Sequence, residues 1–541
     1  MTLGPAAGSA PDLWSVAHRA RAADMAQLVA VAAADHGDRV FIQPAERGIA
    51  PVTFRRLEAF AAGLDAYLEG LGVPRGATVT TLFHNSTLAA LLFLGTLAGR
   101  RVLVPLNPKL GAGEIGGILA RTAPAILIHE AAAASRVPDG VHPAHIVPVA
   151  DQGAFMESIL ALGGDGRLSS RMDLADADPG RDAEIVFTSG SSGPPKGVVL
   201  PHRSLLSDSF ALGGWFGIGP EDTFLTACPL FHNSGQVFTT LTPLWSGGRT
   251  TAVRSEVAML RFWPTVAKFA PTWTLVVNAY MALLAERPQD AVPTGLKGLL
   301  SGGSRLDGEL IARFESAFSV PVHQVYGLTE TTSVATVEAP NDPGRVLGSA
   351  GRTLPICRIR IVAEDGTDQP VGENGEVWIR GENLLTRYHE DPDLTARQIR
   401  DGWLRTGDIG HLDSSGNLFI VERLDSMLFV GGENVYPSEV ENLVPELEGI
   451  EEAVLSHVPD PVMGSELVLV YGLAEGALPR TQDWLRVLRA KLSTFKVPKR
   501  LVPVTDLGIA GLPRAANGKI LRRRVEELLA EHVRPSEEDE G

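Results

Sequence analysis

A short segment rich in glycine, serine and proline constrains the fold of this chain more than any other feature. Residues 188–197 read TSGSSGPPKG and separate the apolar runs EIVF (184–187) and VVL (198–200). Short apolar runs next to glycine and proline are typical of buried strands. Glycines let the backbone turn tightly and bring N–H groups close to an anion. The segment predicts two strands joined by a phosphate-binding loop, with a plain Gly/Ser turn as the alternative.

The composition is that of an ordinary globular protein and excludes some functions. The chain has 541 residues, which at about 150 residues per domain predicts three or four domain-sized units. Its formal net charge of −16 argues against a nucleic-acid partner, because the phosphate backbone requires clustered Lys and Arg. The two cysteines, Cys228 and Cys357, support neither a disulfide framework nor a metal cluster. We therefore predict a reducing, cytoplasmic location.

We expect no secretion signal and no membrane segment. Arg19, Arg21, Asp24 and Asp35 interrupt the early part of the chain, so it lacks the apolar core of a signal peptide. No run approaches the roughly 18 apolar residues of a spanning helix.

Helical and strand patterns alternate along the chain, which predicts α/β layers. A helix is expected from Thr53, because Leu57, Phe60, Leu64 and Leu68 recur at helical spacing. Residues 102–104, 125–129 and 145–149 form short runs typical of strands. Beyond residue 425 the pattern predicts a compact α+β module with a helix capped by Ser438, a strand over 467–471 and a later helix. The apolar face of the first helix is expected to comprise Val440, Leu443, Val444 and Leu447.

Further motifs follow the glycine-rich loop in a fixed order. Residues 229–235 read PLFHNSG, residues 301–304 read SGGS, residues 326–331 read YGLTET, residues 403–408 read WLRTGD, and residues 513–519 read PRAANGK. They contribute an aromatic residue, hydroxyl groups, carboxylates and a lysine at fixed places along the chain. A Walker A loop is excluded, because Pro195 precedes Lys196 and Gly197 follows it.

In their order across residues 53–523, these motifs resemble those of the adenylate-forming (ANL) superfamily, and most closely its acyl-CoA synthetases and fatty-acid–CoA ligases. The resemblance implies an α/β fold with a large N-terminal domain over 1–424, built from two α/β layered subdomains and a β-barrel-like subdomain. A small mobile α+β C-terminal domain over 425–541 would follow, with its hinge at Asp425. The implied cofactors are ATP or an acyl-AMP, Mg2+ and coenzyme A.

The resemblance also implies roles for individual residues. The implied nucleotide-binding residues are Thr188, Ser189, Gly190, Ser191, Ser192, Lys196, Gly302, Gly303, Ser304, Tyr326, Gly327, Asp408 and Arg423. The implied acyl-binding residues are His232, Asn233, Trp273, Asn278, Ser304 and Thr331, and the implied CoA-binding residues are Gly431, Gly432 and Glu433. Lys519, Glu330 and Thr329 are implied to be catalytic, and Glu330 is also the implied magnesium ligand.

The implied activity is that of an AMP-forming acyl-CoA ligase. A carboxylate attacks the α-phosphate of ATP to give acyl-AMP and pyrophosphate, while Lys519 stabilises the negative charge at phosphorus. The small domain then rotates, and the CoA thiolate displaces AMP. His232 stands where relatives that activate α-amino acids place an Asp, so an amino acid is disfavoured. We expect a carboxylic acid or its adenylate and CoA as small-molecule partners, no nucleic acid, no membrane, and allow for a homodimer.

Several positions depart from the superfamily pattern. Leu424 replaces a usual Lys before the hinge, Ala515 replaces a Thr, Ser304 replaces a small apolar residue, and residues 508–511 look like an insertion ahead of Lys519. Because a 1 Å misplacement of a catalytic group costs about 10²-fold in rate, the insertion could impair adenylation. The alternative hypothesis is a variant that mainly converts a supplied acyl-adenylate to its CoA thioester.

Two further alternatives are a non-catalytic adenylate-binding relative and a peptide-synthetase adenylation domain. The first is opposed by the retention of Lys196, Glu330, Asp408, Arg423 and Lys519. The second is opposed by His232, and we expect no carrier domain after Gly541. The acid itself stays open between a bulky, partly oxygenated acid and a medium-chain fatty acid.

Overall fold

The structure is a computed structural model. It describes residues 21–138, 143–188, 195–285, 295–303, 308–339, 344–424, 428–430, 433–435, 437–460, 464–492, 496–514 and 520–532. The chain divides into two compact units. Unit 1 comprises 1–360, 378–406 and 412–419, and unit 2 comprises 361–377, 407–411 and 420–541.

The helices and strands alternate as the sequence predicts. The helices are α1 (Met25–His36), α2 (Phe54–Gly70), α3 (Thr87–Ala98), α4 (Ala112–Thr122), α5 (Gln152–Ala161), α6 (His202–Phe216), α7 (Asn233–Gln236), α8 (Thr242–Ser246), α9 (Ser255–Leu260), α10 (Phe262–Phe269), α11 (Asn278–Ala285), α12 (Gly308–Phe318), α13 (Pro392–Gln398), α14 (Pro437–Glu441), α15 (Thr481–Lys491) and α16 (Arg522–His532). The first strands are β1 (Val40–Ile42), β2 (Val52–Thr53), β3 (Thr78–Leu82), β4 (Val102–Leu106), β5 (Ile126–Glu130), β6 (His145–Val149), β7 (Asp182–Thr188), β8 (Lys196–Pro201), β9 (Thr223–Thr226), β10 (Arg249–Ala252), β11 (Trp273–Val277), β12 (Gly298–Gly302) and β13 (Val322–Tyr326). The remaining strands are β14 (Thr336–Val337), β15 (Arg352–Thr353), β16 (Cys357–Val362), β17 (Gly375–Gly381), β18 (Arg387–Tyr388), β19 (Ile399–Arg400), β20 (Trp403–Leu412), β21 (Leu418–Arg423), β22 (Leu428–Val430), β23 (Glu433–Val435), β24 (Ile450–Asp460), β25 (Gly464–Leu473) and β26 (Arg500–Pro503).

Unit 1 contains two large sheets. The seven-stranded sheet has the order β18-β8-β7-β4-β3-β5-β6, and β3, β4, β5 and β6 run parallel to their neighbours. The nine-stranded sheet has the order β15-β14-β13-β12-β11-β9-β10-β1-β2, and its strands β9 to β13 are parallel. Parallel strands that alternate with helices bury both faces of a sheet, which explains their nearly continuous apolar runs.

Local signals in the sequence set where the helices of unit 1 begin. The Thr53 hydroxyl accepts a hydrogen bond from the Arg56 amide at 3.1 Å and caps α2, as predicted from the helical pattern. Ser86 caps α3 in the same way through the Ala89 amide. Such caps satisfy amide groups that have no partner inside the helix. Leu57, Phe60, Leu64 and Leu68 are fully buried along one face of α2.

In a five-stranded sheet, several strands begin in the residues of one unit and end in the residues of the other. Its order is β16-β17-β20-β19, and β21 pairs with β20. This sheet corresponds to the third, β-rich subdomain that the superfamily resemblance implies.

Unit 2 contains a three-stranded sheet of order β24-β25-β26 and the hairpin β22-β23. Two apolar clusters cover this sheet; one is centred on Trp484 and Leu488, and the other on Val525 and Leu529. This is the compact α+β module that the sequence predicts after residue 425.

One predicted helix of unit 2 is shorter than expected. The pattern predicts a single helix capped by Ser438 and extending to Leu447, but α14 ends at Glu441 and a 3-10 turn covers 444–446. Pro445 lies in that turn, and proline cannot donate the backbone hydrogen bond that a continuing α-helix needs. Ser438 is not a cap, because it lies inside α14 and its hydroxyl donates to the Val421 carbonyl at 3.1 Å.

In the part of the chain that the structure describes, no helix is both long enough and apolar enough to cross a membrane.

Candidate active site

The carboxyl edge of the nine-stranded sheet brings together several residues that the sequence singled out. β12 ends at Gly302, β13 ends at Tyr326, and Val277 at the end of β11 is the register partner of Gly302. Ligands of open parallel α/β sheets bind in the crevice at the carboxyl ends of the strands. The glycine turn and the aromatic residue therefore lie at the edge of unit 1 where a ligand is expected.

Gly302 and Gly327 allow close backbone packing at this edge. A Cβ atom at Gly302 would lie 2.5 Å from Val325 Cγ2, and one at Gly327 would lie 2.1 Å from the Ser333 carbonyl oxygen. Gly303 adopts a positive φ of 90°, which residues with a side chain rarely adopt. These positions require glycine for packing and backbone conformation, whatever ligand the edge binds.

The turn after β13 presents Thr329 and Glu330. Residues 329–331 form a 3-10 turn in which the Thr331 hydroxyl accepts a hydrogen bond from the Leu328 amide at 2.8 Å. Thr331 is fully buried, whereas Thr329 and Glu330 are partly exposed. The structure thus places the Thr331 hydroxyl inside the turn, and it leaves the other two side chains accessible at the edge.

The turn is strained at its next residue. Thr332 has φ 64° and ψ −65°, and the Ser333 amide bonds to the Thr331 carbonyl at 2.7 Å. This is a γ-turn of the rare kind, which is costly for a β-branched residue. The Thr332 hydroxyl donates to the Asn383 carbonyl at 2.8 Å, and Asn383 in turn donates to the Val334 carbonyl at 3.0 Å. Strain of this kind persists only where the surroundings impose it.

The glycine-rich loop is described only at its two ends. Thr188 ends β7 and pairs in register with Lys196, the first residue of β8, so the predicted strand–loop–strand arrangement is confirmed. The implied ligands Ser189, Gly190, Ser191 and Ser192 lie outside the described residues. The pairing of Thr188 with Lys196 fixes the positions of the two strand ends that the loop connects.

Arg121 and His389 hydrogen-bond to the second end of this loop, and neither was predicted from the sequence. Arg121, near the end of α4, donates to the Pro195 carbonyl at 2.6 Å, and its guanidinium lies 5.2 Å from the centre of the Phe187 ring. The His389 amide donates to the Gly197 carbonyl at 2.7 Å. Both contacts connect parts of the chain that are far apart in sequence, so no local motif signals them.

His232 directly precedes α7. Its side chain is accessible to solvent, although protein atoms surround it closely, and its ring centre lies 4.6 Å from that of Phe231. Desolvation lowers the pKa of His232 below its ordinary value, so the ring is neutral at pH 7. A neutral, accessible imidazole suits the role of an acyl-pocket residue that the resemblance implies.

Asn233, which the sequence places in the acyl pocket, is held in a buried network instead. Its amide nitrogen donates to Glu184 Oε2 at 3.1 Å and to Gln236 Oε1 at 2.9 Å. The Gln236 amide nitrogen donates to Glu184 Oε1 at 2.6 Å. Burial raises the pKa of Glu184 to about 8, and the hydrogen bonds from Gln236 and Asn233 oppose this rise. The network joins the strand that enters the glycine-rich loop to the loop that carries His232.

Asn85 holds the same His232 loop from another side. Its Oδ1 accepts from the Leu230 amide at 2.7 Å, and its Nδ2 donates to the Cys228 carbonyl at 2.8 Å. A glutamate at position 184 within an apolar strand pattern was a usable signal of a buried network, whereas nothing in the sequence marks Asn85.

The other predicted acyl-binding residues lie elsewhere or outside the described part. Trp273 is buried at the amino end of β11, and its indole nitrogen donates to Asp222 Oδ1 at 3.2 Å. Val277 at the carboxyl end lies four positions further along the strand, roughly 13 Å away. Trp273 therefore lies at the opposite edge of the sheet from Gly302 and Tyr326. The side chain of Asn278 and all of Ser304 are outside the described residues.

In unit 2, Asp408 and Arg423 form an ion pair between two neighbouring strands. Arg423 Nη1 lies 3.0 Å from Asp408 Oδ1, and Asp408 is buried. Gly407 has a positive φ of 70°, and a Cβ there would come within 3.3 Å of Arg423 Nη2. The pairing holds the carboxylate in one orientation, which suits the bidentate contact to two hydroxyl groups predicted for it.

For the remaining predicted residues of unit 2, the structure describes mainly the residues on either side of them. Asp425, Gly431, Gly432, Lys519 and the side chain of Glu433 lie outside the described part of the chain. Strands β22 and β23 flank the two glycines. An isolated bridge between Arg514 and Ile520 brackets residues 515–519.

The apparent insertion at 508–511 is packed rather than loose. Gly508 adopts a positive φ of 69° after a 3-10 turn over Val504–Leu507, and the Ile509 amide bonds back to the Val504 carbonyl. Leu512, just beyond it, is buried, and its amide donates to Glu452 Oε1 at 2.7 Å. Arg514 pairs with the same carboxylate. The chain therefore leaves the insertion on a fixed path.

The glycine turn, the aromatic residue and the hydroxyl–carboxylate pair thus follow neighbouring strand ends of one α/β sheet. The AMP-binding enzyme family model matches residues 29–389 of this chain. The chain therefore belongs to the AMP-binding enzymes, the adenylate-forming superfamily that its motifs predict, and within it to the acyl-CoA synthetase-like members.

Individual relatives agree with this membership. The chain is 32% identical over 508 residues to a sulfoacetate–CoA ligase of Cupriavidus necator, covering 93% of this chain and 97% of the relative. It is 31% identical over 492 residues to an indoleacetate–CoA ligase of Aromatoleum aromaticum, covering 88% and 93%.

Solved structures share the fold. ATP-bound MatB from Rhodopseudomonas palustris superposes with a TM-score of 0.78 at 24% identity, covering 93% of this chain and 99% of that one. The anthranilate CoA ligase AuaEII in complex with anthranoyl-AMP gives a TM-score of 0.81 at 21% identity, covering 94% and 98%. These likenesses confirm the predicted α/β fold class.

Proposed function

We propose that this protein is an AMP-forming acyl-CoA ligase that activates a carboxylic acid as its adenylate and transfers the acyl group to CoA. The observation that carries the proposal is the shared edge of unit 1, where Gly302, Tyr326 and the Thr329–Glu330 turn follow neighbouring strand ends. The named relatives, which are CoA ligases for different acids, support the same reaction class.

Each accessible group at that edge suits one part of the first half-reaction. The Tyr326 ring would lie against the adenine, and the Thr329 hydroxyl would donate to the α-phosphate. Lys196 would neutralise phosphate charge at the base of the glycine-rich loop. In unit 2, the carboxylate of Asp408, oriented by Arg423, would accept both ribose hydroxyls.

Glu330 fits the implied magnesium ion. Mg2+ is usually held by one or two carboxylates together with substrate phosphates and water, so a single accessible carboxylate is sufficient. When bound, the ion would neutralise charge on the triphosphate.

The chemistry needs no protein nucleophile. The substrate carboxylate attacks the α-phosphorus, pyrophosphate leaves, and Lys519 would stabilise the charge at phosphorus. In the second half-reaction the CoA thiolate attacks the acyl carbon, the bond to AMP breaks, and AMP leaves. The neutral, accessible His232 offers no charge to pair with an ammonium group, so we propose an acid without an α-amino group.

The proposal is tested by ATP–pyrophosphate exchange and CoA-dependent AMP release, measured over a panel of acids. The panel includes sulfoacetate, aryl acetates, hydroxycinnamates, short and medium fatty acids, and α-amino acids. We expect exchange with at least one acid, AMP release only when CoA is added, and no exchange with amino acids. AMP release with no CoA requirement would contradict the ligase assignment.

The thioesterification-only variant is the second candidate, and it rests on the apparent insertion at 508–511 before Lys519. Leu512 and Glu452 fix the path of the chain directly after this insertion. Synthetic acyl-AMP plus CoA would then yield thioester, while ATP plus the same acid would yield no pyrophosphate. Pyrophosphate release at a rate comparable to thioester formation would exclude this variant.

A further inference from the structure

Residues 385–389, here called the strap, contact both the turn that carries Glu330 and strand β8, which follows the glycine-rich loop. The Leu385 amide donates to the Glu330 carbonyl at 2.9 Å, and the Tyr388 hydroxyl donates to Glu330 Oε1 at 2.9 Å. On its other side, the strap pairs with β8, with Tyr388 opposite Val198 and the His389 amide on the Gly197 carbonyl. One segment of five residues thus connects Glu330 to the strand that begins at Lys196.

The strap is firmly placed by its own contacts. The Thr386 amide and hydroxyl both donate to the Val199 carbonyl, at 2.9 and 3.2 Å. The Tyr388 amide donates to the Thr395 hydroxyl of α13 at 2.9 Å, and the Tyr388 side chain is buried. A phenol fixed in this way can hold a carboxylate in one orientation, because its own ring has little freedom to move.

We propose that Tyr388 is a positioning residue for adenylation: its hydroxyl fixes the Glu330 carboxylate so that the other oxygen is directed at the magnesium–nucleotide complex. This inference rests on the proposed function. Groups that hydrogen-bond to metal ligands typically change metal affinity 10–100-fold when removed, because they fix the orientation of the ligand. A buried phenol that merely satisfied its own hydroxyl could bond to a backbone carbonyl instead, as Tyr280 does with Ala258 at 2.7 Å.

The test compares Tyr388→Phe with the matched control Tyr280→Phe. Both substitutions remove one hydroxyl from a buried ring, but only the first removes a partner of Glu330. The first readout is the binding of Mn2+, as a spectroscopic substitute for Mg2+, to the complex of protein and non-hydrolysable ATP analogue. We expect Tyr388→Phe to weaken Mn2+ binding about 10-fold and Tyr280→Phe to leave it unchanged.

A double-mutant cycle with Glu330→Gln separates positioning from general stability. If Tyr388 acts through Glu330, Tyr388→Phe has no further effect on Mn2+ affinity in the Glu330→Gln background. Melting temperatures of the four proteins serve as the control for folding. Equal effects of Tyr388→Phe in both backgrounds would overturn the inference, as would unchanged Mn2+ affinity in the single variant.

The outcome also distinguishes this inference from the proposed function. If the wild-type protein binds neither ATP nor Mn2+ in the presence of nucleotide, the ligase proposal itself fails. If the wild type binds both and Tyr388→Phe binds them equally well, only the role of Tyr388 is rejected.

Discussion

The carboxyl group of Asp208 on α6 accepts a hydrogen bond of 3.0 Å from the backbone amide of Val334, two residues beyond the strained Thr332. Asp208 is fully buried, and burial raises its pKa well above the usual range, against the backbone N–H groups of Val334 and Ser333. A helix in the interior therefore supports the far end of the turn that presents Glu330.

The strain at Thr332 predicts that the glycine variant is more stable than the alanine variant, the reverse of the usual order. Thr332→Ala and Thr332→Gly both lose the hydrogen bond to Asn383, but only glycine adopts a φ of 64° without strain. We expect the Gly variant to be more stable than the Ala variant by about 1 kcal/mol in urea unfolding. At Thr265 within α10, the same pair should show the ordinary order, with Ala more stable. The usual order at both positions would argue against strain.

The close packing at Gly327 predicts that a side chain there reduces adenylation. In Gly327→Ala the new Cβ would meet the Ser333 carbonyl oxygen at 2.1 Å, so the turn that carries Thr329 and Glu330 must shift. We expect ATP–pyrophosphate exchange to fall about 10²-fold, because shifts near 1 Å have effects of that size. Gly117→Ala in α4 is the control, since a Cβ there meets nothing within 4 Å. Equal rates for both variants would contradict the packing argument.

The buried Glu184 predicts a specific dependence of stability on pH. Its pKa rises from 4.5 to about 8 on folding, so the folded protein retains a proton that the unfolded chain loses between these values. Its contribution to the free energy of unfolding is therefore present below pH 4.5 and is lost as the pH rises through about 8. Glu184→Gln removes the titration. We expect the stability of the wild type relative to this variant to fall by up to about 4 kcal/mol between pH 5 and pH 8.5.

Other titrating groups cancel in that comparison, because both proteins contain them. The measurement is urea unfolding of wild type and Glu184→Gln at several pH values. Parallel stability curves would show that Glu184 has the same pKa in the folded and unfolded states.

The ion pair of Asp408 and Arg423 predicts a defect in ribose recognition. In Asp408→Asn, an amide replaces the acceptor that binds Arg423 and the proposed ribose hydroxyls. We expect the KM for ATP to rise about 10- to 100-fold, the range for hydrogen bonds to charged groups. The wild type should discriminate against 2′-deoxy-ATP, and the variant should discriminate much less. Asp413→Asn in the nearby turn is the control, because Asp413 binds the amides of Ser415 and Asn417.

The sequence alone was sufficient to predict the residues of the site that lie in contiguous motifs. Gly302, Tyr326, Gly327 and Glu330 could be identified because each lies in a short contiguous motif. The structure adds that strands β12 and β13 lead into these motifs and end at one edge of the sheet. The same logic located the glycine-rich loop between β7 and β8.

The supporting contacts could not be predicted because their partners are distant in sequence. Glu330 and Tyr388 are 58 residues apart, and Asp208 and Val334 are 126 apart. No periodicity within either segment encodes such a pairing. Asn233 lies in a motif that the sequence identified, but the hydrogen bond from its side chain to the buried Glu184 could not be predicted.

Unit 2 does not correspond to a single stretch of chain, and this affects how relatives can be recombined. It takes 361–377 and 407–411 from the middle of the sequence in addition to everything from 420 onward. A chimera with one junction between residues 419 and 420 would leave those two segments with the other parent. Asp408 would then come from one parent and Arg423 from the other, so the ion pair between them would be a hybrid. Chimeras intended to exchange this unit need five junctions, one at each crossing of the chain.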